Sequence, residues 1–74
     1  MEIAHLQVIR SLVTDPHLSR AATRLHMTQS ALSKRLKAIE EEIGCLLFER
    51  RGPRGLKALP QAQELAAQIG RAHV

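Results

Sequence analysis

Aromatic side chains are almost absent from this sequence, which has neither tryptophan nor tyrosine and a single phenylalanine, Phe48. Proteins that bind single-stranded nucleic acid stack successive bases on aromatic side chains. RNA-recognition modules that splay out bases use aromatic platforms in the same way. One phenylalanine does not make such a platform, so the composition argues against both modes of binding.

Cysteine is equally scarce, since Cys45 is the only one. No disulfide can therefore form within the chain. Cys45 stands between Gly44 and the apolar residues Leu46 and Leu47. We expect it to be a small buried hydrophobic residue rather than a redox switch.

The residue clusters of metal sites and catalytic centres are missing as well. The four histidines, His5, His17, His26 and His73, show no metal-ligand spacing, and no cysteine pair accompanies them. There is no set of nucleophile, base and orienting residue, and no glycine-rich phosphate loop. We expect no metal, no cofactor and no enzymatic activity.

Long apolar runs are also missing. None reaches the length of a membrane span, and no signal peptide is apparent. We therefore expect a cytoplasmic protein without a membrane partner.

The sequence does have an excess of positive charge. Its 74 residues suffice for one small domain, and they carry a formal net charge of +4. Such a basic balance favours a polyanionic partner.

Apolar residues at helical spacing predict a first helix over about Glu2–Val13. The helix should end before Asp15–Pro16, because a residue that precedes proline is disfavoured in the α region. A short alanine-rich second helix is predicted over Leu18–Leu25. Its small residues Ala21 and Ala22 would allow another helix to approach closely.

A tight turn at His26 is predicted to join the second helix to a third. Histidine tolerates the positive φ that such a turn needs better than most residues do. Thr28 is a good N-cap for a helix that runs to about Ile43, and Gly44 is a natural stop. The second and third helices together predict a helix-turn-helix.

The third helix has two chemically different faces. At about 100° per residue, Leu32, Leu36, Ile39 and Ile43 fall on one side. Through Lys37 the other side carries hydroxyls and cations without an acid, with Gln29 in the first turn and Arg35 toward the core edge. These polar residues are Ser30, Ser33, Lys34 and Lys37. Three glutamates at residues 40–42 come later, where the helix would leave a DNA groove.

Two short segments, Leu46–Arg50 and Leu56–Leu59, flank a turn-forming stretch at residues 51–55. They predict a β-hairpin with a basic tip, which we call the wing.

Pro60 suits the first position of a last helix, over Gln61–Gly70 or slightly beyond. Leu65, Ala66 and Ile69 form a thin apolar stripe on that helix, with Ala62 behind them. We expect a second copy of the chain to complete the burial of this stripe.

Two segments, residues 20–37 and 50–57, are basic and contain no acid. Their cations would neutralise phosphates and give affinity without sequence choice. Base edges would be read by polar groups at the front of the third helix. The candidates for this role are Gln29, Ser30, Ser33 and Lys34.

The sequence thus predicts specific binding of double-stranded DNA, against two alternatives. A charged helix face is often only a solvated surface, and the domain would then be a winged-helix module for protein interaction. Double-stranded RNA is disfavoured, because its major groove is too deep and narrow for side chains to read.

A run of short motifs occurs in a characteristic order. These motifs are Ser19-Arg20-Ala21-Ala22, Leu25-His26, Thr28-Gln29-Ser30-Ala31-Leu32-Ser33, Ile39-Glu40, Ile43-Gly44 and Leu47-Phe48-Glu49-Arg50. In this order they resemble the N-terminal domain of LysR-type transcriptional regulators, over essentially the whole chain. The resemblance implies a mainly α fold. A winged helix-turn-helix of three helices and a hairpin would occupy residues 1–59, and a linker or dimerisation helix residues 60–74.

The resemblance also implies how DNA is bound. The helix over about residues 28–43 would enter the major groove, and the wing at residues 50–57 would meet the backbone or the adjacent minor groove. Gln29, Ser30, Ser33 and Lys34 would face bases. The backbone and minor-groove residues would be Thr28, Arg35, Lys37, Arg50 and Arg54.

A bacterial, nucleoid-associated homodimer is implied as well, paired through the last helix by Leu65, Ala66 and Ile69. Two recognition helices related by a two-fold axis predict a pseudo-palindromic site with half-sites about one helical turn apart. The effector-binding domain of the family would begin where this chain stops. We expect a small-molecule effector to act only through that domain, which is not present here.

Two departures from the family pattern bear on local structure. His17 stands near a position where serine is usual, and we expect it to be a poor cap for the second helix. The segment Ala58–Ala62 lacks the usual hydroxyl cap and glycine, so we expect the junction between the wing and the last helix to differ from that of the family.

Overall fold

The computed structural model describes residues 3–53 and 55–72, which form four helices and one two-stranded antiparallel sheet. The helices are α1 (Ile3–Thr14), α2 (Leu18–Arg24), α3 (Gln29–Ile43) and α4 (Pro60–Ala72). The strands are β1 (Phe48–Arg51) and β2 (Gly55–Ala58). This is the predicted winged helix-turn-helix followed by a C-terminal helix. The predicted first residue of α1, Glu2, lies outside the described residues.

A single apolar core joins α1, α2, α3 and the hairpin. Each of its best-buried side chains contributes roughly 1.5–3 kcal/mol of transfer free energy. The fully buried large side chains are Ile9, Leu12, Leu18, Leu32, Ile39 and Leu47. Ala21 and Ala22 are buried on α2, which contacts α3 as their small size predicted.

Local interactions determine the turn of the helix-turn-helix and the two ends of α3. His26 adopts a φ of 57°, as predicted for this turn. Thr28 caps α3, since its hydroxyl oxygen accepts the backbone N–H of Ala31 at 3.0 Å. Gly44 ends α3 in the left-handed conformation with a φ of 91°. The predicted bounds of α3 are thus confirmed.

His17 caps α2 through a long hydrogen bond, in line with the expectation that it is a poorer cap than a hydroxyl. His17 is the N-cap, and its ring nitrogen Nδ1 accepts the backbone N–H of Arg20 at 3.4 Å. The same nitrogen lies 3.2 Å from the hydroxyl oxygen of Ser19. An unprotonated imidazole nitrogen is an acceptor, so it can replace the oxygen of a capping serine.

The hairpin is tied to the loop between α1 and α2. β1 and β2 pair in antiparallel register from Phe48 opposite Ala58 to Arg51 opposite Gly55. The N–H of Leu56 donates to the carbonyl of Pro16 at 2.8 Å. This extra bond ties the start of β2, next to the turn of the hairpin, to the loop between α1 and α2.

The segment before β1 differs from its prediction. The strand begins at Phe48 rather than Leu46, and Leu46 is 65% exposed. The expectation that Cys45 is buried was also wrong, because Cys45 is exposed. It directly follows the left-handed Gly44, where the chain reverses at the surface before Leu47 enters the core.

Pro60 is the first residue of α4, as its fixed φ predicted. The junction forms without a hydroxyl cap, because the Leu59 carbonyl accepts the N–H of Ala62 at 2.9 Å. The Gln63 side chain adds a bond to the Ala58 carbonyl at 3.3 Å. α4 packs on α1 with Ala62 fully buried.

No helix in the part of the chain that the structure describes is long and apolar enough to cross a membrane.

Candidate nucleic-acid interface

α3 presents a polar outer face that its buried apolar face holds in position. Leu32, Leu36 and Ile39 are buried against the core. On the outer side, Gln29 and Ser33 are half-buried. The exposed candidates on α3 are Ser30, Lys34, Arg35 and Lys37.

Thr28 is exposed at the start of α3, and its oxygen is engaged as the helix cap. A hydroxyl carries one hydrogen in addition to its acceptor sites. Thr28 can therefore cap the helix and still donate a hydrogen bond outward.

The cations on α3 are not neutralised by any side chain that the structure describes. Among residues 3–53 and 55–69, Lys34, Arg35 and Lys37 form no ion pair. Their charges remain available to an external anion.

The arginines of α2 are in a different state. Arg20 makes two hydrogen bonds of 2.8 Å to the Asp15 carboxylate, and Arg24 lies 3.2 Å from it. The hydrogen bonds from Arg20 hold the pKa of Asp15 well below its usual range, and the single hydrogen bond from Arg24 acts in the same direction. Asp15 in turn raises the pKa of Arg20. Residues 20–37 contain no acid, so the sequence predicted free arginines there. It did not indicate that Asp15, five residues before Arg20, would pair with them.

The wing is joined to α3 by two side-chain contacts. The carboxylate oxygen Oε2 of Glu40 accepts the backbone N–H groups of Leu47 at 2.7 Å and Phe48 at 3.2 Å. Arg50 on β1 donates from Nη2 to the hydroxyl oxygen of Ser33 at 3.0 Å. Glu40 was not predicted to have a role, although its position four residues after the buried Leu36 places it at the core edge.

Between α3 and the wing runs an open groove whose polar lining consists of Ser33, Lys37 and Arg50 together with the carboxylates of Glu40 and Glu49. The structure thus brings Ser33, which was predicted to face bases, close to Lys37 and Arg50, which were predicted to contact the DNA backbone. Arg51 and Lys57 are exposed elsewhere on the hairpin. Arg54, the remaining wing candidate, lies outside the described residues.

Metal ligands do not cluster in the described residues, which contain no group of three His, Cys, Asp or Glu side chains able to hold an ion. His5 lies 3.4 Å from the Glu42 carboxylate, a contact between α1 and α3. His73 lies outside the described residues.

Residues 3–63 match the family of bacterial regulatory helix-turn-helix proteins of the lysR family. The chain belongs to the LysR family.

Curated relatives of this LysR-family chain are transcriptional regulators. It is 44% identical over 50 residues to the HTH-type transcriptional regulator AlsR of Bacillus subtilis, an alignment that covers 68% of the chain and 17% of AlsR. It is 37% identical over 78 residues to MetR of Salmonella typhimurium, covering 97% of the chain and 25% of MetR. The chain spans a quarter or less of the length of these relatives.

Solved structures of similar fold include complexes with DNA. The CbnR DBD–DNA complex has a TM-score of 0.86 and 25% identity, covering 97% of this LysR-family chain and 82% of the other. The BenM DBD/catB site 1 DNA complex has a TM-score of 0.84 and 30% identity, covering 97% and 76%. Both likenesses extend over the helix-turn-helix, the wing and most of α4.

Leu65, Ala66 and Ile69, which were predicted to pair two copies of this LysR-family domain, are buried or partly buried within a single copy. Ile69 is only 8% exposed, and Leu65 packs against the core. Ala66 is half-buried. Ile3, which is 74% exposed, lines a groove between α1 and α4 together with Leu6 and Ile69. The apolar surface left on this side of the molecule therefore includes α1 as well as α4.

Proposed function

We propose that this chain is the sequence-specific, double-stranded DNA-binding module of a bacterial transcription regulator. The observation that carries the proposal is the outer face of α3, on which exposed hydroxyls and unneutralised cations stand side by side. An α-helix fits the major groove of B-form DNA, where each base pair presents a distinct pattern of donors and acceptors. The DNA complexes among the similar structures support this assignment.

Within this proposal, α3 lies in the major groove and its front residues read bases. Ser30 and Lys34 are the most accessible of the four candidates, because Gln29 and Ser33 are half-buried. Lysine can donate to guanine O6 and N7, and glutamine can pair with adenine through two hydrogen bonds. We expect Lys34 to contribute most to the choice of base.

The phosphate contacts come from the edges of the same surface. Thr28 and Arg35 flank the front of α3, and Lys37 and Arg50 border its groove with the wing. The sugar–phosphate strand between the major groove and the adjacent minor groove would run along that groove. Arg54, which the sequence places between the two strands, is our candidate for the minor groove.

We further propose that two copies bind together, which would place two recognition helices on a pseudo-palindromic site. Residues 60–74 would then serve as the pairing helix and residues 1–59 as the DNA-binding unit. Leu65, Ala66 and Ile69 would form the pairing surface with the exposed Ile3, because α4 alone leaves little apolar surface free. Control by a small effector would reside in a further domain, and the regulator would associate with the bacterial nucleoid.

Fluorescence anisotropy with labelled duplex DNA tests the proposal. Affinity should fall linearly with salt on a log–log scale, with a slope of about −0.9 for each phosphate neutralised. A DNA duplex should outcompete an RNA duplex of the same sequence. Absence of duplex binding at low salt would reject the proposal and favour a protein-interaction module with a solubilising basic face.

A further inference from the structure

The hydrogen bond between Arg50 and Ser33 connects the wing to the middle of the recognition helix. Arg50 Nη2 lies 3.0 Å from Ser33 Oγ, although the two residues are 17 positions apart in the chain. Arg50 is exposed, and Ser33 is half-buried at the groove between α3 and β1. This pair joins a proposed phosphate contact to a proposed base contact.

The chemistry of the two groups fixes the direction of this bond. A guanidinium has five N–H donors and no acceptor, whereas a serine hydroxyl has one hydrogen and two lone pairs. Ser33 must therefore accept from Arg50, and its own hydrogen must point elsewhere. A hydroxyl that accepts from a cation also becomes a stronger donor, because neighbouring hydrogen bonds polarise each other.

We propose that Arg50 is a specificity-determining residue, because it converts the otherwise permissive Ser33 into a hydrogen-bond donor toward DNA. This inference rests on the proposed function. A free serine can donate to or accept from a base edge. Arg50 occupies one lone pair of Ser33, and its positive charge disfavours a second hydrogen-bond donor at the other lone pair. Ser33 therefore favours bases that present an acceptor in the major groove. Guanine and adenine offer N7, guanine also offers O6, and thymine offers O4, whereas cytosine offers only its amino donor.

The placement of Arg50 does not depend on DNA. The strand that carries it begins at Phe48, whose N–H is held by Glu40 on the same helix as Ser33. One helix therefore supports both the hydroxyl and the start of the strand that supplies its partner. Within the described residues, Ser33 is the only hydrogen-bond partner of the Arg50 guanidinium. Its other N–H groups can therefore bind a phosphate of the DNA backbone while Nη2 sets the polarity of the base contact.

A different role for the Ser33 hydrogen is a bond to the carbonyl of Gln29, four residues earlier, as helical serines can make. In that case Ser33 would not read a base, and Arg50 would act only on phosphates. The two situations differ in which base preferences change on mutation.

The test measures binding of the 74-residue chain to duplexes selected from a random pool and then varied one base pair at a time. Ser33→Ala should abolish the preference at one position, where acceptor bases are favoured over cytosine by about 3- to 10-fold. Arg50→Met should weaken all duplexes and abolish the preference at that same position. The double variant should lose no further preference there. Arg51→Met, on the same strand, should weaken binding and leave that preference intact.

The possible results separate the role of Arg50 in base preference from DNA binding itself. If Arg50→Met weakens all duplexes equally and keeps every base preference, or if Ser33→Ala changes none, the inference is overturned while the proposed function stands. If the unchanged chain binds no duplex, the proposed function fails and the inference fails with it. Thermal unfolding of each variant verifies that the fold is retained, which we expect because Arg50 is exposed and Ser33 lies outside the core.

Discussion

The carboxylate of Glu40 on α3 accepts the backbone N–H of Leu47, 2.7 Å away, at the point where the chain turns into the wing. The same oxygen accepts the N–H of Phe48 at 3.2 Å. One side chain of α3 therefore fixes where the first strand begins. The wing is thereby held relative to α3 before any partner binds.

Replacing Glu40 with alanine should destabilise the domain and loosen the wing. Two partly buried N–H groups would lose a charged acceptor, at a cost of about 2–3 kcal/mol in the free energy of unfolding. Glu41→Ala is the matched control, because Glu41 is exposed on the next position of the same helix. Urea unfolding measures the loss, and faster hydrogen exchange at Leu47 and Phe48 would locate it. Equal stabilities of the two variants would contradict this role of Glu40.

Lys34 and Lys37 should respond differently to truncation, although both are exposed lysines on α3. Lys34→Ala should cost about 1–3 kcal/mol on the selected site and relax the preference at one base pair. Lys37→Ala, at the groove beside the wing, should weaken all duplexes alike and reduce the salt slope by about one unit. Anisotropy titrations on selected and scrambled duplexes separate the two results. Uniform weakening by Lys34→Ala would show that Lys34 binds a phosphate.

Local signals in the sequence were sufficient to predict the helices and the turn between them. Thr28 and Gly44 set the bounds of α3 through their own backbone and side-chain preferences, and His26 accepted the positive φ of the turn. The apolar spacing on α3 also placed its buried face correctly. Each of these features depends on residues within about one turn of each other, so a single sequence contains the information.

The contacts that shape the candidate site depend on distances that the sequence does not encode locally. Asp15 meets Arg20 and Arg24 across the start of α2, and Arg50 reaches Ser33 across the groove. None of these three contacts joins residues at a sequence spacing typical of one helix face or one hairpin. The burial of Ile69 likewise required knowing that α4 packs on α1, since the apolar stripe alone fits an internal or an external partner equally well.

The cluster of Asp15, Arg20 and Arg24 should make stability depend on acid pH. Because the pKa of Asp15 is lower in the folded chain than its unfolded value of about 3.9, the unfolded chain binds the proton more readily. The stabilisation is fully present above the unfolded pKa and is lost as the pH falls toward the folded pKa. The wild-type chain should therefore lose its stability advantage over Asp15→Asn as the pH falls below about 4.

Thermal unfolding of the wild-type chain and of Asp15→Asn, from neutral pH down to about pH 3, measures this difference in stability. Arg20 is 62% exposed at its side chain, so the advantage at neutral pH should be small and should shrink with salt. Midpoints that fall in parallel for the two proteins over the whole range would contradict the assignment.

Ile3→Asp should shift the chain from dimer to monomer while leaving the fold intact. Ile3 is 74% exposed beside Ile69, so a charge there costs the single domain little and disfavours burial against a second copy. Leu46→Asp is the matched control, because Leu46 is 65% exposed and lies outside that groove. Sedimentation velocity gives the mass of each. An Ile3→Asp variant that still sediments as a dimer would remove this surface from the pairing interface.

Selection of binding sites from a pool of random DNA duplexes tests the central claim most directly. If α3 reads bases and two copies bind together, the recovered sequences should contain one half-site repeated with two-fold symmetry, with centres about one helical turn apart. Recovered duplexes that show no enriched sequence over the starting pool would contradict specific DNA recognition by this chain.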